Sequence, residues 1–171
     1  MDPLHYKLVF SVADEDIMSL LAPSVSGMAL ISVIIAVTLI FQFRSRPFPA
    51  RRAWIVPVIF LAGLSVPLML VFLDTNHYLW ARNTLSTGKA EVVEGMVEHY
   101  VPLPPTPFSK GRVESFQVAD VEFYFSPTWT VGFHKTRADG SPIRDGLPVR
   151  IWYAPTSNRG NEILKLEIAE K

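Results

Sequence analysis

The pattern of apolar and polar positions divides the chain into a long apolar part and a later, alternating part. No charged residue occurs from Ile17 to Phe43, and none occurs from Ala53 to Leu73. A helix rises about 1.5 Å per residue and a bilayer's hydrocarbon core is about 30 Å thick, so roughly 20 apolar residues span it. Both stretches reach that length. The pattern therefore predicts a transmembrane hairpin over 23–73, with spans at 23–43 and 53–73. Residues 1–22 read as an N-terminal tail, with an interfacial turn of helix ahead of Pro23, a residue that suits the first helical position. Its acidic excess, Asp2, Asp14, Glu15 and Asp16 against Lys7, is the reverse of a secretory signal's positive start.

After a linker over 74–88 the period changes from helical to alternating. Residues 90–101 alternate imperfectly around Gly95, as a bent strand with a glycine kink does. The proline-rich run 102–107 cannot donate a ladder of hydrogen bonds and reads as an extended loop. Residues 114–118 and 121–126 flank Ala119 and Asp120 as a tight hairpin. Residues 127–147 are rich in turn formers and read as a long loop, and strands at 149–154 and 163–168 follow. Five short strands over 89–171 without a helix between them predict a small closed barrel, because closure removes exposed edges.

Charge narrows the choice of partners and sets an orientation. Between 74 and 171 there are 11 Lys plus Arg against 12 Asp plus Glu, interspersed. A nucleic-acid reader concentrates basic residues on one face, so no nucleic-acid partner is expected. The absence of cysteine excludes disulfides, Cys-ligated zinc and thiol nucleophiles. Arg44, Arg46, Arg51 and Arg52 crowd the short connection between the apolar stretches. Short Arg-rich loops stay cytoplasmic, so these four are the topology-determining residues. They place both termini and the C-terminal domain outside the cytoplasm, in a multi-pass protein of the inner or plasma membrane.

Glu94-Gly95-x-Val97, then Glu114-x-Phe116-x-Val118-x-x-Val121-x-Phe123, then Gly146-x-x-Val149-Arg150-Ile151-x-Tyr153 and the closing run Ile163 to Ile168 carry a resemblance. Over about 88–168 the chain resembles bacterial membrane proteins in which a small β-barrel of unknown function is tethered to membrane helices. Its layout is similar to that of NfeD-like proteins. The resemblance implies an α+β membrane protein, a two-helix transmembrane hairpin followed by a five-stranded OB-like barrel. It implies a fold rather than an activity. The 127–147 loop is longer than the pattern's usual connection.

No nucleophile elbow, His-Glu-x-x-His helix, phosphate-binding glycine loop or dinucleotide fingerprint occurs. The nearest polar constellation is His134, Asp139, Ser141 and Asp145, with His99 from the first strand of the domain. These residues sit among turn formers and read as solvated, so no catalytic residue, metal site or cofactor is assigned. The loop over 127–147 exceeds an ordinary hairpin link, and long loops are commonly functional. Its Trp129, Phe133, His134, Lys135, Arg137 and Arg144 are the candidate partner-binding residues. The competing structural reading has Trp129 and Phe133 folded back as a plug over the barrel mouth. The expected function is a non-enzymatic, membrane-anchored binding or scaffolding module of the cell envelope. Its expected partners are the lipid bilayer and an envelope protein or glycan. One alternative is an envelope enzyme or enzyme accessory with 127–147 as its active-site loop; another is a homo-oligomerisation module.

Overall fold

The computed structural model describes residues 5–17, isolated positions between 27 and 38, 55–103 and 113–170, with helix side chains described at Ser65 and from Leu68 onward. The elements in order are β1 (His5–Ser11), α1 (Ile55–Ser86), β2 (Glu91–Val101), β3 (Glu114–Val118), β4 (Val121–Phe125), β5 (Pro148–Thr156) and β6 (Gly160–Glu170), with a 3-10 turn at Arg137–Asp139. Contacts divide the chain into two units, Met1–Glu15 with His77–Lys171 and Asp16–Asn76.

The two-helix transmembrane hairpin is corrected. Among the described residues no helix is long and apolar enough to cross a membrane, and α1 is the one continuous helix. From Asp74 onward the same helix carries polar and charged residues, among them Asp74, Asn76, His77 and Arg82. The α1 helix also does not end at Leu73. It continues through the expected 74–88 linker and stops in a Schellman closure, with Gly88 at φ 68°, Gly88 N–H donating to Leu85 O at 3.3 Å and Lys89 N–H to Thr84 O at 3.1 Å. The expected α+β membrane fold and the multi-pass, extracytoplasmic placement fall with the hairpin. The expected span at 23–43 lies outside the described residues apart from the isolated positions, and Arg44, Arg46, Arg51 and Arg52 lie outside them altogether.

The described strands form one mixed sheet in the order β1-β6-β4-β3-β2-β5, with β5 also pairing β6. The pairs β2–β3, β3–β4, β5–β6 and β2–β5 are antiparallel, and β4 meets β6 in parallel at Phe123 opposite Asn161. Strands β2, β3, β4, β6 and β5 therefore close into a ring. On the β4 side of β6 the C-terminal half of that strand pairs with β1, from His5 opposite Glu170 to Ser11 opposite Lys165.

A strand stands where the alternation predicts an N-terminal tail, and a bulge explains the difference. Register slips between Leu8 and Phe10, so Leu8 is exposed while Phe10 is buried two positions later. A bulge breaks the period-2 signal on which strand reading rests. The same device recurs in β6, where Trp152 faces Lys165 but Tyr153 faces Ile163, and Ile163 and Leu164 are both buried. In β2 the slip falls between Glu98 and Val101, with His99 at φ 53°, and not at Gly95. Gly95 serves close packing instead, since a Cβ there would lie 3.2 Å from Val118 Cγ1.

Inside the ring, aromatic rings pack in a continuous chain. Phe10 meets Phe133 at 5.6 Å, Phe133 meets Phe125 at 5.3 Å, Phe125 meets Phe116 at 5.9 Å, and Phe123 bridges Phe116 and Tyr153 at 5.3 Å each. Most of these contacts are edge-on or tilted, which suits the ring quadrupole. The long loop is fixed to this core from below by Glu114. That carboxylate is fully buried, and it accepts from Tyr100 Oη at 2.7 Å, Leu103 N–H at 3.3 Å and Arg137 N–H at 3.1 Å. The Tyr100 hydroxyl is held well above its ordinary pKa by burial and by that bond. One buried anion thus joins the start of the proline-rich segment to the loop, and three donors offset its desolvation.

Phe133→Ala removes a central member of the aromatic chain and is expected to cost about 3–5 kcal/mol. Trp129→Ala, at a half-buried position, is expected to cost about 1 kcal/mol or less. Urea midpoints of the two single variants check this; equal small shifts would contradict the placement of Phe133 in the core.

Candidate functional site

Within the unit containing the sheet, the end of α1, the β5–β6 turn and the segment 129–134 meet. The turn is held by Thr156, whose Oγ1 donates to Gly160 O at 3.0 Å and accepts Arg159 N–H at 3.3 Å. From α1 come His77 and Trp80, spaced i and i+3 and so on one helical face, with ring centroids 5.5 Å apart. Together with Pro155, Thr156, Ser157, Asn158 and Arg159 they line an open groove of about 390 Å³.

The groove's wall is braced by a buried carboxylate. Glu162 is 1 % exposed and its Oε2 lies 2.9 Å from His77 Nε2. A carboxylate accepts, so the neutral imidazole carries its proton on Nε2 and keeps Nδ1 as an acceptor. The other carboxylate oxygen, Oε1, is buried with no hydrogen-bond partner among the described residues. It lies against Gly132, where a Cβ would come within 3.1 Å of it and within 3.0 Å of Glu162 Cγ. Gly132 has φ 83°, so both space and backbone require glycine there.

The expected partner-binding residues separate. Phe133 is core. Trp129 is half-buried and serves as a platform, with the Arg159 guanidinium 4.9 Å from its ring centre; Arg159 also donates to Val131 O at 3.5 Å. His134 is half-buried and Nδ1 donates to Gly132 O at 3.0 Å. Lys135, Arg137 and Arg144 are exposed. The polar constellation does not converge either. Asp139 accepts from Thr136 N–H and Oγ1, at 3.2 and 2.6 Å, which holds its carboxyl below the usual range. Asp145 accepts Tyr100 N–H at 2.9 Å, Ser141 Oγ accepts Ile143 N–H at 3.4 Å, and His99 pairs with Gln117 at 3.3 Å. Among the described residues no group of three or more His, Asp or Glu side chains could hold a metal ion.

His77, Trp80, Asn158, Arg159 and Glu162 are absent from the candidate binding residues read from the sequence, in which Trp80 counts only as an aromatic at a membrane interface. Ending the helix at Leu73 hides the i, i+3 relation of His77 and Trp80. The usable signal is Glu162 itself, a carboxylate directly beside Ile163 and Leu164 in a strand. No protein-family model, curated protein or solved structure matches the chain.

A second carboxyl, Glu15, lies near this helix end, where Tyr78 Oη donates to the Glu15 carbonyl at 2.9 Å. Burial raises the Glu15 pKa above its ordinary 4.5, with the charges of His134 and Lys135 opposing. A carboxyl raised on folding binds its proton more tightly when folded. Its stabilising contribution is present below the ordinary value and is lost as pH rises through the shifted one. Glu15→Gln is therefore expected to show a melting temperature that gains on the wild type as pH rises above the ordinary carboxyl value of 4.5. Superimposable pH profiles of the two proteins would contradict the burial of this carboxyl.

Proposed function

We propose that the chain is a non-enzymatic binding module whose working surface is the groove at the β5–β6 turn. The observation that carries this reading is the pairing of exposed and buried roles. His77 and Trp80 line an open groove, while Glu162 behind them spends its burial on holding the imidazole. A rotamer-locked acceptor beside an exposed indole recognises a ligand with little ordering cost on binding. Around it stand hydroxyl, amide and guanidinium groups from one short turn. The 127–147 loop contributes through Trp129, which supports Arg159 rather than meeting a partner with its own cations.

A histidine oriented by a carboxylate is also what a general base needs, so the rival enzymatic reading centres on His77 and not on His134 or Asp139. General-base catalysis contributes about 10²–10⁴-fold. The wild type is expected to turn over activated ester, glycoside and phosphate substrates no faster than His77→Gln. A turnover lost about a hundredfold or more in His77→Gln would overthrow the non-enzymatic reading.

Exposed apolar side chains on α1 favour homo-oligomerisation as a second reading. Met69 is 62 % and Phe72 65 % exposed, and their neighbours Leu68, Leu70 and Leu73 are exposed as well. Contiguous apolar surface of this kind marks an interaction site. Sedimentation of the purified chain is expected to give a species larger than 19.2 kDa that Phe72→Ser with Met69→Ser reduces toward monomer. A wild type that is monomeric at all concentrations would remove this reading.

A further inference from the structure

The chemistry of the groove defines its ligand more narrowly, on the premise that the groove is the binding surface. We propose that it takes a neutral saccharide of one to three rings. Trp80 is 39 % exposed and lines the groove, and an indole is the kind of amphipathic surface against which the C–H face of a pyranose packs. Around it stand Ser157, Asn158 and His77, which supply hydroxyl, amide and imidazole groups for a ring of sugar hydroxyls; Ser157 Oγ donates to Asn158 Oδ1 at 3.3 Å, which leaves its lone pairs and the Asn158 amide N–H groups for a ligand. Glu162 fixes the His77 proton on Nε2, leaving Nδ1 to accept from a hydroxyl donor. A volume of about 390 Å³ sits at the small end of ligand pockets, which run from about 300 to about 1,000 Å³.

Charge and backbone weigh against other ligands. The one cation of the turn, Arg159, already lies over Trp129 and donates to Val131 O, and Glu162 places an anion directly behind His77. The local balance favours an uncharged ligand over an anionic one. An extended peptide needs either a free strand edge or a desolvated apolar pocket for its anchors. Here the turn's backbone is used by the Thr156 and Gly160 pairing and by Arg159 N–H, and the apolar lining is limited to Trp80 and Pro155.

The test uses the full chain with four probes: maltotriose, the trimer of N-acetylglucosamine, the trimer of galacturonic acid, and a Ser/Pro-rich decapeptide. Binding is read by tryptophan fluorescence and saturation-transfer NMR in the wild type, Trp80→Ala and Asn158→Ala. The expected result is that at least one neutral trimer binds with a Kd in the millimolar range or tighter. Trp80→Ala should weaken it at least about tenfold, and Asn158→Ala several-fold, both at unchanged melting temperature. Should Trp80→Ala fail to fold, Asn158→Ala on the exposed turn decides alone. Failure of both neutral trimers to bind, or binding indifferent to both variants, overturns the proposal. Preference for the acidic trimer overturns it too. Binding of the decapeptide alone, weakened in Asn158→Ala, rejects the saccharide while leaving the groove as the binding surface; silence from all four probes rejects both.

Discussion

Strand β6 is the element on which the rest of this structure depends, because among the described residues it is the one strand paired with three others. Along one side it runs the length of β5, and along the other it serves β4 at its start and β1 at its end. Without that division the ring from β2 to β5 does not close, and β1 has no sheet to join. Two further backbone bonds use the same strand, from Val12 N–H to Leu164 O at 2.9 Å and from Phe133 N–H to Ile163 O at 3.2 Å. The chain that leaves β1 and the long loop therefore take their positions from the same few residues that carry Glu162. Ordering two separate segments against one strand is how a small domain recovers the entropy of fixing long connections.

Two buried carboxylates divide the polar work. Glu114 is surrounded by donors and fixes backbone, so it behaves as a structural anion whose desolvation is offset on all sides. Glu162 is different. It engages one histidine through one oxygen, leaves the other oxygen unpaired against Gly132, and its partner reaches a groove. A buried polar group held in an incomplete network costs stability, and such a cost is commonly kept where a site benefits from it. The outer face shows a third arrangement. Tyr6 stacks on Arg150, which pairs with Glu94, while Lys165 lies over Trp152, so charges there are satisfied by neighbours on adjacent strands. These exposed contacts tie β1 across β6 and β5 to β2 at small individual energies.

Much of the sheet was legible because its signals are local. Glu114 to Phe125 reads as a hairpin from alternation on either side of Ala119 and Asp120, and the two last strands read from their apolar runs. The first strand was not legible, since the bulge at Val9 moves Phe10 to the wrong parity and alternation is the only signal a seven-residue strand carries. The fate of Phe133 was undecidable from composition: an aromatic in a long loop serves a partner or the core with equal ease, and only the approach of Phe10, sixscore residues earlier in the chain, decides it. Long uncharged runs pointed to a bilayer, yet such runs do not specify where a helix ends. The turn chemistry at Gly88, fifteen residues beyond Leu73, does. The groove was illegible for a different reason. It is assembled from His77, Trp80 and the turn at 155–159, with Glu162 buried behind His77, and only the course of α1 and the closure of β6 bring these together.

The orientation of His77 by Glu162 is the geometric statement that the functional reading rests on most directly, and imidazole nitrogen NMR measures it without any ligand. Long-range proton–nitrogen spectra of the intact chain at a pH where the ring is neutral are expected to show His77 as a single tautomer, protonated at Nε2 with Nδ1 as an acceptor, and to show this preference lost in Glu162→Ala. A His77 ring that averages freely between its two tautomers in the wild type would contradict the buried contact and, with it, the pre-ordered wall of the groove.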